Sequence, residues 1–170
     1  MNRSDDVRIR PAGPDDAETI ARFSRALMEF LDEPALNFTA AVVRAHGFGA
    51  HPRFEALIAE QGGDPAGYAA FHPAYATEHA QRGLYLIDLY VAPAARRHGV
   101  GRALMAALAR TARERGDTFV WWASKPWNEV AHAFYRGLGA TEEKIVAHAL
   151  FGVAFEALAA DIPGGVDDRP

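Results

Sequence analysis

The chain has 170 residues, of which 49% are hydrophobic and 24% charged, enough apolar material for one compact domain with a substantial core. Its formal net charge of −4 argues against a nucleic-acid partner, because such binders carry a basic surplus. It has no cysteine, which excludes disulfides, thiolate metal sites and a cysteine acyl-enzyme. It shows neither an apolar secretory segment nor a run of about 18 apolar residues. We therefore expect a cytoplasmic protein with no membrane partner.

Hydrophobic periodicity predicts both strands and helices in the first half of the chain. The Gln-Gly-Gly-Asp stretch reads as a hairpin turn, because glycine supplies the positive φ that such turns require. Helix opening is predicted at a Pro-Asp-Asp sequence, since proline and acidic residues favour the first turn. The predicted elements are strands over residues 7–10, 54–60 and 65–72, a helix from Pro14 to Phe30, and a short helix over residues 39–45.

The second half predicts a strand, helix and strand that form a βαβ crossover. Its first strand is almost continuously apolar, which is typical of a central strand covered on both faces. The predicted elements are a strand over 84–91, a helix ending at Gly116, a strand over 118–123, a helix capped by Asn128 and ending at Gly139, and a strand over 145–153. Residues 161–170 are predicted to be a disordered tail.

A basic turn with two glycines joins the apolar strand to the helix of this crossover. Gly99 and Gly101 have no Cβ, so the main chain can approach a ligand closely. The first N–H groups of the following helix have no partners within the helix, and with the helix dipole they attract anions. Arg96, Arg97 and Arg102 add guanidinium groups that suit phosphate oxygens. The turn therefore predicts a pyrophosphate site.

The spacing within this turn distinguishes it from other phosphate loops. No Lys-Ser or Lys-Thr follows the glycines, and the three-glycine dinucleotide fingerprint is absent. What remains, Arg-x-x-Gly-x-Gly, resembles the acyl-CoA pyrophosphate loop of the GCN5-related N-acetyltransferase (GNAT) superfamily. Residues 127–140 resemble a second signature of that superfamily, Asn-x-x-Ala-x-x-Phe-Tyr-x-x-Leu-Gly-Ala. Because two motifs occur in the expected order, the chain is identified as a member.

The resemblance covers about residues 7–160 and implies one N-acetyltransferase domain over residues 1–160. The implied fold is mixed α/β, with a central, mostly antiparallel sheet, a βαβ acyl-CoA-binding core and splayed central strands. The implied activity is direct transfer of an acetyl group from acetyl-CoA to a primary amine of a small molecule, such as a polyamine or an amino acid. A homodimer is also expected, since the last strand and the short helix often form such interfaces in the superfamily.

Within the superfamily, residues 84–91 resemble the Leu-Tyr-Leu-Glu-Asp-Phe-Phe-Val strand of diamine (spermidine/spermine) acetyltransferases and their bacterial relatives. Ile87 replaces the glutamate of that strand, which relatives use near the acceptor amine. Asp88 is the other polar candidate, because an ionisable group in an apolar strand is costly unless it is paired or useful. It either orients the acceptor ammonium or relays its proton, or it only accepts hydrogen bonds from an amide or arginine nearby.

The resemblance also implies residue roles. Tyr135 would protonate the leaving sulfur, which suits a phenol that is protonated at neutral pH, and Asp88 is the second catalytic candidate. The acceptor-binding candidates are Ile87, Asp88 and Glu29, the last because its acidic group could attract a cationic amine. Acetyl-CoA would be held by main-chain groups and side chains of Leu89, Tyr90, Val91, Arg96, Arg97, His98, Gly99, Val100, Gly101, Arg102, Asn128, Glu129, Val130, Ala131 and Phe134.

Other interpretations stay open from the sequence. The Ile87 replacement motivates a second hypothesis, a domain that binds acyl-CoA as a sensor without catalysing transfer. A third hypothesis is acetylation of a protein N-terminus or lysine. The histidines lack acidic partners at ligand spacing, so no metal is expected. Trp121 and Trp122 are expected to fill the core.

Overall fold

A computed structural model describes residues 7–34 and 37–161. One five-stranded sheet runs through it in the order β1-β2-β3-β4-β5. The first three pairs of neighbours are antiparallel, and β4 and β5 are parallel. This arrangement confirms the mixed, mostly antiparallel sheet with a βαβ crossover. The strands are β1 (Val7–Pro11), β2 (Glu55–Gln61), β3 (Asp64–Ala76), β4 (Gln81–Val91) and β5 (Phe119–Trp121).

The helices begin and end where local sequence signals favour it. A 3-10 turn with two aspartates leads into the first helix, which ends at Asp32 with a left-handed φ of 56°. The Thr39 hydroxyl caps the second helix by accepting a hydrogen bond from the Val42 N–H at 3.3 Å. The helices are α1 (Ala17–Leu31), α2 (Ala40–Phe48), α3 (Val100–Glu114), α4 (Glu129–Arg136) and α5 (Gly152–Ala160).

Helices cover both faces of the sheet. On one face, α1 and α2 bury Phe23 and Val43 against Ile58 and Tyr68 of the central strands. Side chains alternate along a strand, so the buried neighbours of these positions point to the opposite face. There α3 presents its apolar face, with Leu104 close to β3. The sheet is therefore the middle layer of the core.

The β4 strand is longer than its pairing with β5. Only Gly83 to Tyr85 pair with β5, opposite Phe119 to Trp121, while β4 continues to Val91. The pairing stops there because β5 ends at Trp121, so the end of β4 has no β5 residue beside it. The expectation of splayed central strands stays a prediction. On its other side β4 contains a bulge: Asp88 pairs with Ala70 and Leu86 with Phe71, so Ile87 is an extra residue.

Two expectations from the sequence are wrong. The structure describes residues 145–153 in full, and they form no strand; α5 begins within them at Gly152. A strand needs a partner for its backbone N–H and C=O groups, whereas the alanine-rich end of this segment can satisfy its own groups as a helix. Trp121, expected in the core, is 45% exposed because it lies on the edge strand β5.

The chain divides into two compact units, Met1–His132 and Ala133–Pro170, with the division inside α4. The first contains the sheet and α1 to α3. The second contains α5 and the apolar segment before it, most of whose side chains are exposed. Of the predicted disordered tail, only Asp161 lies within the described residues. No helix among the residues described is long and apolar enough to cross a membrane.

Candidate active site

The loop after β4 has the geometry of an anion cradle. The guanidinium Nε of Arg96 donates to the Val91 carbonyl at 3.1 Å and so ties the loop to the end of the strand. Gly99 is the N-cap of α3, with φ of 80°, and its carbonyl accepts the Ala103 N–H at 2.9 Å. The backbone N–H groups of the first helical turn, before Ala103, take no part in the intrahelical hydrogen bonds. They form the positive end of the helix dipole.

The space around this loop fits a phosphate group. A Cβ at Gly99 would meet no atom within 4 Å, so the main chain is open on that side. Arg97 adopts an unusual left-handed φ of 67°, and the His98 and Arg102 side chains beside it are exposed. Val100 is buried, which leaves only its main chain for a ligand. The loop residues thus fit the pyrophosphate of acetyl-CoA.

The end of β4 offers main-chain groups rather than side chains. Tyr90 is 9% exposed and its ring lies 5.3 Å from that of Phe23, so its side chain belongs to the core. Leu89 and Val91 are partly buried on the same stretch, beyond the residues that pair with β5. This is consistent with the predicted main-chain pairing of residues 89–91 with the pantetheine arm.

Asp88 accepts hydrogen bonds from two hydroxyl groups. The Tyr68 hydroxyl donates to its Oδ2 at 2.5 Å, and the Ser24 hydroxyl of α1 also hydrogen-bonds with it. Burial raises the pKa of Asp88, and these two hydrogen bonds counteract part of that rise. Burial, followed by the adjacent Asp88 charge, raises the pKa of Tyr68, which keeps the phenol protonated.

The other two acceptor candidates are exposed. The bulge residue Ile87 is 44% exposed. Glu29 is exposed near the end of α1, and its carbonyl accepts the Asp32 N–H. The neighbouring Glu33 forms an ion pair with Lys125. The structure brings Asp88 and Ile87 together at the bulge, and Glu29 lies on a different element.

Asn128 caps α4 as its sequence predicted. Its Oδ1 accepts the Ala131 N–H at 3.2 Å and its carbonyl accepts the His132 N–H at 3.1 Å. The Glu129 side chain is exposed, and its Oε1 lies 3.9 Å from Nδ1 of His132. Val130, predicted to help hold acetyl-CoA, is 81% exposed and leaves an apolar side chain open at the surface.

Phe134 and Tyr135 belong to the second unit. Their ring centroids are 5.3 Å apart. Burial raises the pKa of Tyr135 to about 12, so its phenol is protonated throughout the neutral range. A protonated phenol can donate a proton to a departing thiolate.

The sequence did not predict the hydrogen-bond partners of Asp88. Tyr68 and Ser24 lie 20 and more residues away in the chain, and no local motif marks either one. The only available signal was Asp88 itself, because a buried carboxylate requires donors from somewhere. Among the residues described, no group of three or more His, Asp or Glu side chains could hold a metal ion. The prediction that the protein needs no metal stays a prediction.

The chain is similar to acetyltransferases in sequence. The model of the acetyltransferase (GNAT) family matches residues 21–140. The chain is 33% identical over 145 residues to the thialysine N-epsilon-acetyltransferase of Mus musculus, covering 80% of this chain and 85% of that protein. It is 36% identical over 131 residues to the protein of the same name from Caenorhabditis elegans, covering 72% and 75% of the two chains.

Solved structures show the same fold. An integron cassette protein from V. cholerae superimposes with a TM-score of 0.75 at 20% identity, covering 90% of this chain and 97% of that one. The ribosomal-protein-alanine N-acetyltransferase of Brucella melitensis gives a TM-score of 0.70 at 21% identity, covering 86% and 100%. At these identities the likeness supports the fold alone.

Proposed function

The chain belongs to the acetyltransferase (GNAT) family, and we propose that its acceptor is an amino acid or a closely related small amine. The protein is an N-acetyltransferase that moves the acetyl group of acetyl-CoA to a primary amine of a small molecule. Relatives are named for thialysine, L-ornithine and D-amino acids, which all carry an amine on an amino-acid skeleton. Those names support the narrower acceptor class.

One observation carries the proposed placement of acetyl-CoA: the open β4 main chain leads directly into the glycine loop and the N-terminus of α3. In our proposal, residues 89–91 pair with the pantetheine arm, and the loop from Arg96 to Arg102 holds the pyrophosphate. The family resemblance assigns Asn128 to Ala131, and also Phe134, to acetyl-CoA binding. In this placement the thioester lies beside the part of β4 that has no pairing with β5.

The transfer itself is a direct attack. The amine nitrogen adds to the carbonyl carbon of the thioester, an amide C–N bond forms, and the C–S bond breaks. We assign Tyr135 as the acid that gives its proton to the departing thiolate, because its raised pKa keeps that proton available. The acceptor ammonium loses one proton before the attack, which frees the lone pair of the nitrogen, and the nitrogen loses a second proton as the amide forms. One of these protons goes to solvent and the other replaces the proton that Tyr135 gave to the thiolate.

Asp88 orients the acceptor ammonium in this proposal. A carboxylate has about four lone-pair positions, so the hydrogen bonds from Tyr68 and Ser24 leave it capacity for a further donor. Ile87 supplies an apolar contact beside the acceptor and no charge. Glu29 contributes long-range attraction for a cation, since it is exposed rather than part of the bulge.

Several broader expectations also remain proposals. We keep one N-acetyltransferase domain over residues 1–160, a cytoplasmic location and a homodimer. The dimer is supported by the second unit, where Val146, Phe151 and Val153 are 80%, 82% and 87% exposed. Contact with a second copy of the chain would remove these apolar side chains from water, which is favourable.

Thermal unfolding with and without about 1 mM acetyl-CoA tests the cosubstrate site. If that concentration is about 100 times Kd, native-state binding adds about 2.7 kcal/mol. For a domain of this size, the midpoint should rise by roughly 5 to 10 °C, at about 2 to 4 °C per kcal/mol. ATP and NAD serve as controls and should give no comparable rise. An unchanged midpoint with acetyl-CoA would refute the placement.

Release of free CoA thiol with a panel of amines tests the acceptor class. Lysine, ornithine and thialysine should each give amine-dependent release, whereas a lysine-containing peptide should give little. Binding of acetyl-CoA with no release from any amine would favour the sensor hypothesis. Preferential release with the peptide would favour a protein acetyltransferase.

A further inference from the structure

Three aromatic side chains form a row across neighbouring strands of the sheet. His72 on β3 stacks on Tyr85 on β4, with ring centroids 5.2 Å apart and planes at 29°. Tyr85 in turn contacts Trp121 on β5, at 5.3 Å and 41°. Each contact joins cross-strand partners, because His72 is paired with Tyr85 and Tyr85 with Trp121. We call these three residues the aromatic row.

The aromatic row lies on the same face of the sheet as Asp88. Side chains two positions apart on a strand share a face, so Ala70 and His72 do. Their partners on β4, Asp88 and Tyr85, must therefore share it as well. The three-residue spacing between those partners would normally place them on opposite faces, and the extra residue Ile87 absorbs the difference.

The aromatic row also marks the end of the pairing between β4 and β5. Tyr85 and Trp121 are the last pair, and β5 ends at Trp121 while β4 continues to Val91. Trp121 is 45% exposed, and Ile87 at the adjoining bulge is 44% exposed. An acceptor resting on the aromatic row would thus lie next to the part of β4 without a β5 partner, where the thioester is proposed to lie.

The charges around the aromatic row favour an apolar occupant. Asp88, on the same face, is already bonded to Tyr68. Glu55 is paired with Phe71, which places it on the opposite face, and it forms a two-pronged ion pair with Arg115, both bonds at 2.6 Å. A second cation lying over the row would be balanced chiefly by ring faces, which attract an exposed cation only weakly. An aromatic group gains both buried apolar area and ring contacts.

We propose that the aromatic row binds the carbon skeleton of the acceptor and gives primary amines with an aromatic ring a higher kcat/KM than amines with a second cationic group, such as lysine and ornithine, which remain slower substrates. This inference rests on the proposed function, since it assigns the acceptor side of the same site. It places the ring of the acceptor on Tyr85 and Trp121 and directs the amine along the sheet toward Asp88.

Steady-state CoA release with three amines tests the assignment: 2-phenylethylamine, propylamine and spermidine. The wild-type kcat/KM should be about tenfold or more higher for 2-phenylethylamine than for propylamine, the factor that a ring contact worth about 1.4 kcal/mol provides. Tyr85→Leu and Trp121→Leu should each raise KM for 2-phenylethylamine by a similar factor. Both variants should lower kcat/KM for 2-phenylethylamine several-fold more than kcat/KM for propylamine, which separates lost ring contact from general damage.

Tyr75→Leu is the matched control. Tyr75 is another exposed aromatic residue of β3. It lies three residues after His72, so its side chain points to the opposite face of the sheet. It should leave all three kcat/KM values unchanged. A wild-type preference for spermidine, with no KM change in the row variants, would overturn the inference and leave the proposed function standing. No CoA release with any amine, despite stabilisation by acetyl-CoA, would instead overturn the proposed function.

Discussion

Asp88 can remain in a buried position because hydroxyl groups of Tyr68 and Ser24 satisfy its carboxylate. Two interpretations of this residue are open from the sequence, a functional group or a mere hydrogen-bond acceptor. The structure gives it donors, although they are hydroxyl groups rather than the amide or arginine expected. Those donors fix the orientation of the carboxylate, and a fixed carboxylate is also what positioning an ammonium requires.

Tyr135→Phe should lower kcat while leaving the Kd for acetyl-CoA unchanged. General acids contribute about 10²- to 10⁴-fold, and the variant retains the ring but loses the proton. Because burial raises the pKa of Tyr135 to about 12, the phenol stays protonated through about pH 10. The ratio of wild-type to variant kcat should therefore be constant between about pH 6 and pH 10.

Pre-steady-state measurement of acetyl transfer, with Kd from equilibrium titration, checks both parts of this expectation. A fully active variant would remove Tyr135 from the mechanism. A ratio that falls as the pH rises from neutrality toward that upper limit would show that Tyr135 loses its proton within this range, which would contradict its raised pKa.

At the scale of an element, the loop before α3 depends on a conformation that only glycine adopts at low cost. Gly99 has φ of 80°, and a Cβ there would project into the open space proposed for the pyrophosphate. Gly99→Ala should therefore raise the Kd for acetyl-CoA several-fold. It should also destabilise the fold by about 1 kcal/mol, the usual cost of a left-handed conformation for a residue with a side chain.

Gly62→Ala separates these two effects. Gly62 lies in the hairpin turn between β2 and β3 and has φ of 64°, and a Cβ added there would likewise meet no atom within 4 Å. Its substitution should lower the unfolding midpoint by a similar amount and leave acetyl-CoA binding unchanged. Equal Kd values for both variants, measured by calorimetry, would refute the role of Gly99 in the cosubstrate site.

The strands and helices differ in how far their sequences specify them. The helix over Ala17–Leu31 follows from its apolar spacing, and the cap at Asn128 from its side chain. Both depend on residues within one or two turns. The segment over 145–153 has an equally apolar sequence, but whether it becomes a strand depends on a distant partner, which the described chain does not provide.

At the scale of the whole molecule, the second unit predicts self-association. Its exposed apolar side chains would contact water in a monomer, which is unfavourable at about 25 cal/mol per Å². Light scattering coupled to size exclusion should give twice the mass of one chain. The double variant Val146→Ser, Val153→Ser should shift the protein toward the monomer, because it makes the proposed contact surface polar.

Tyr75→Ser provides the comparison, since it removes an exposed apolar side chain from the first unit. It should leave the measured mass unchanged. A wild-type protein that is monomeric at all concentrations tested would contradict the proposed dimer without affecting the assignment of acetyl transfer.

The sequence by itself determined the family, the βαβ crossover and the glycine loop, because each depends on residues close together in the chain. The spacing of Arg96, Gly99 and Gly101 sets the local backbone, and helical periodicity sets α1 and α3. Only the tertiary structure decided the bulge at Ile87, the hydroxyl partners of Asp88 and the aromatic row. Those features arise from the register between strands, which long-range pairing fixes and which no local pattern encodes.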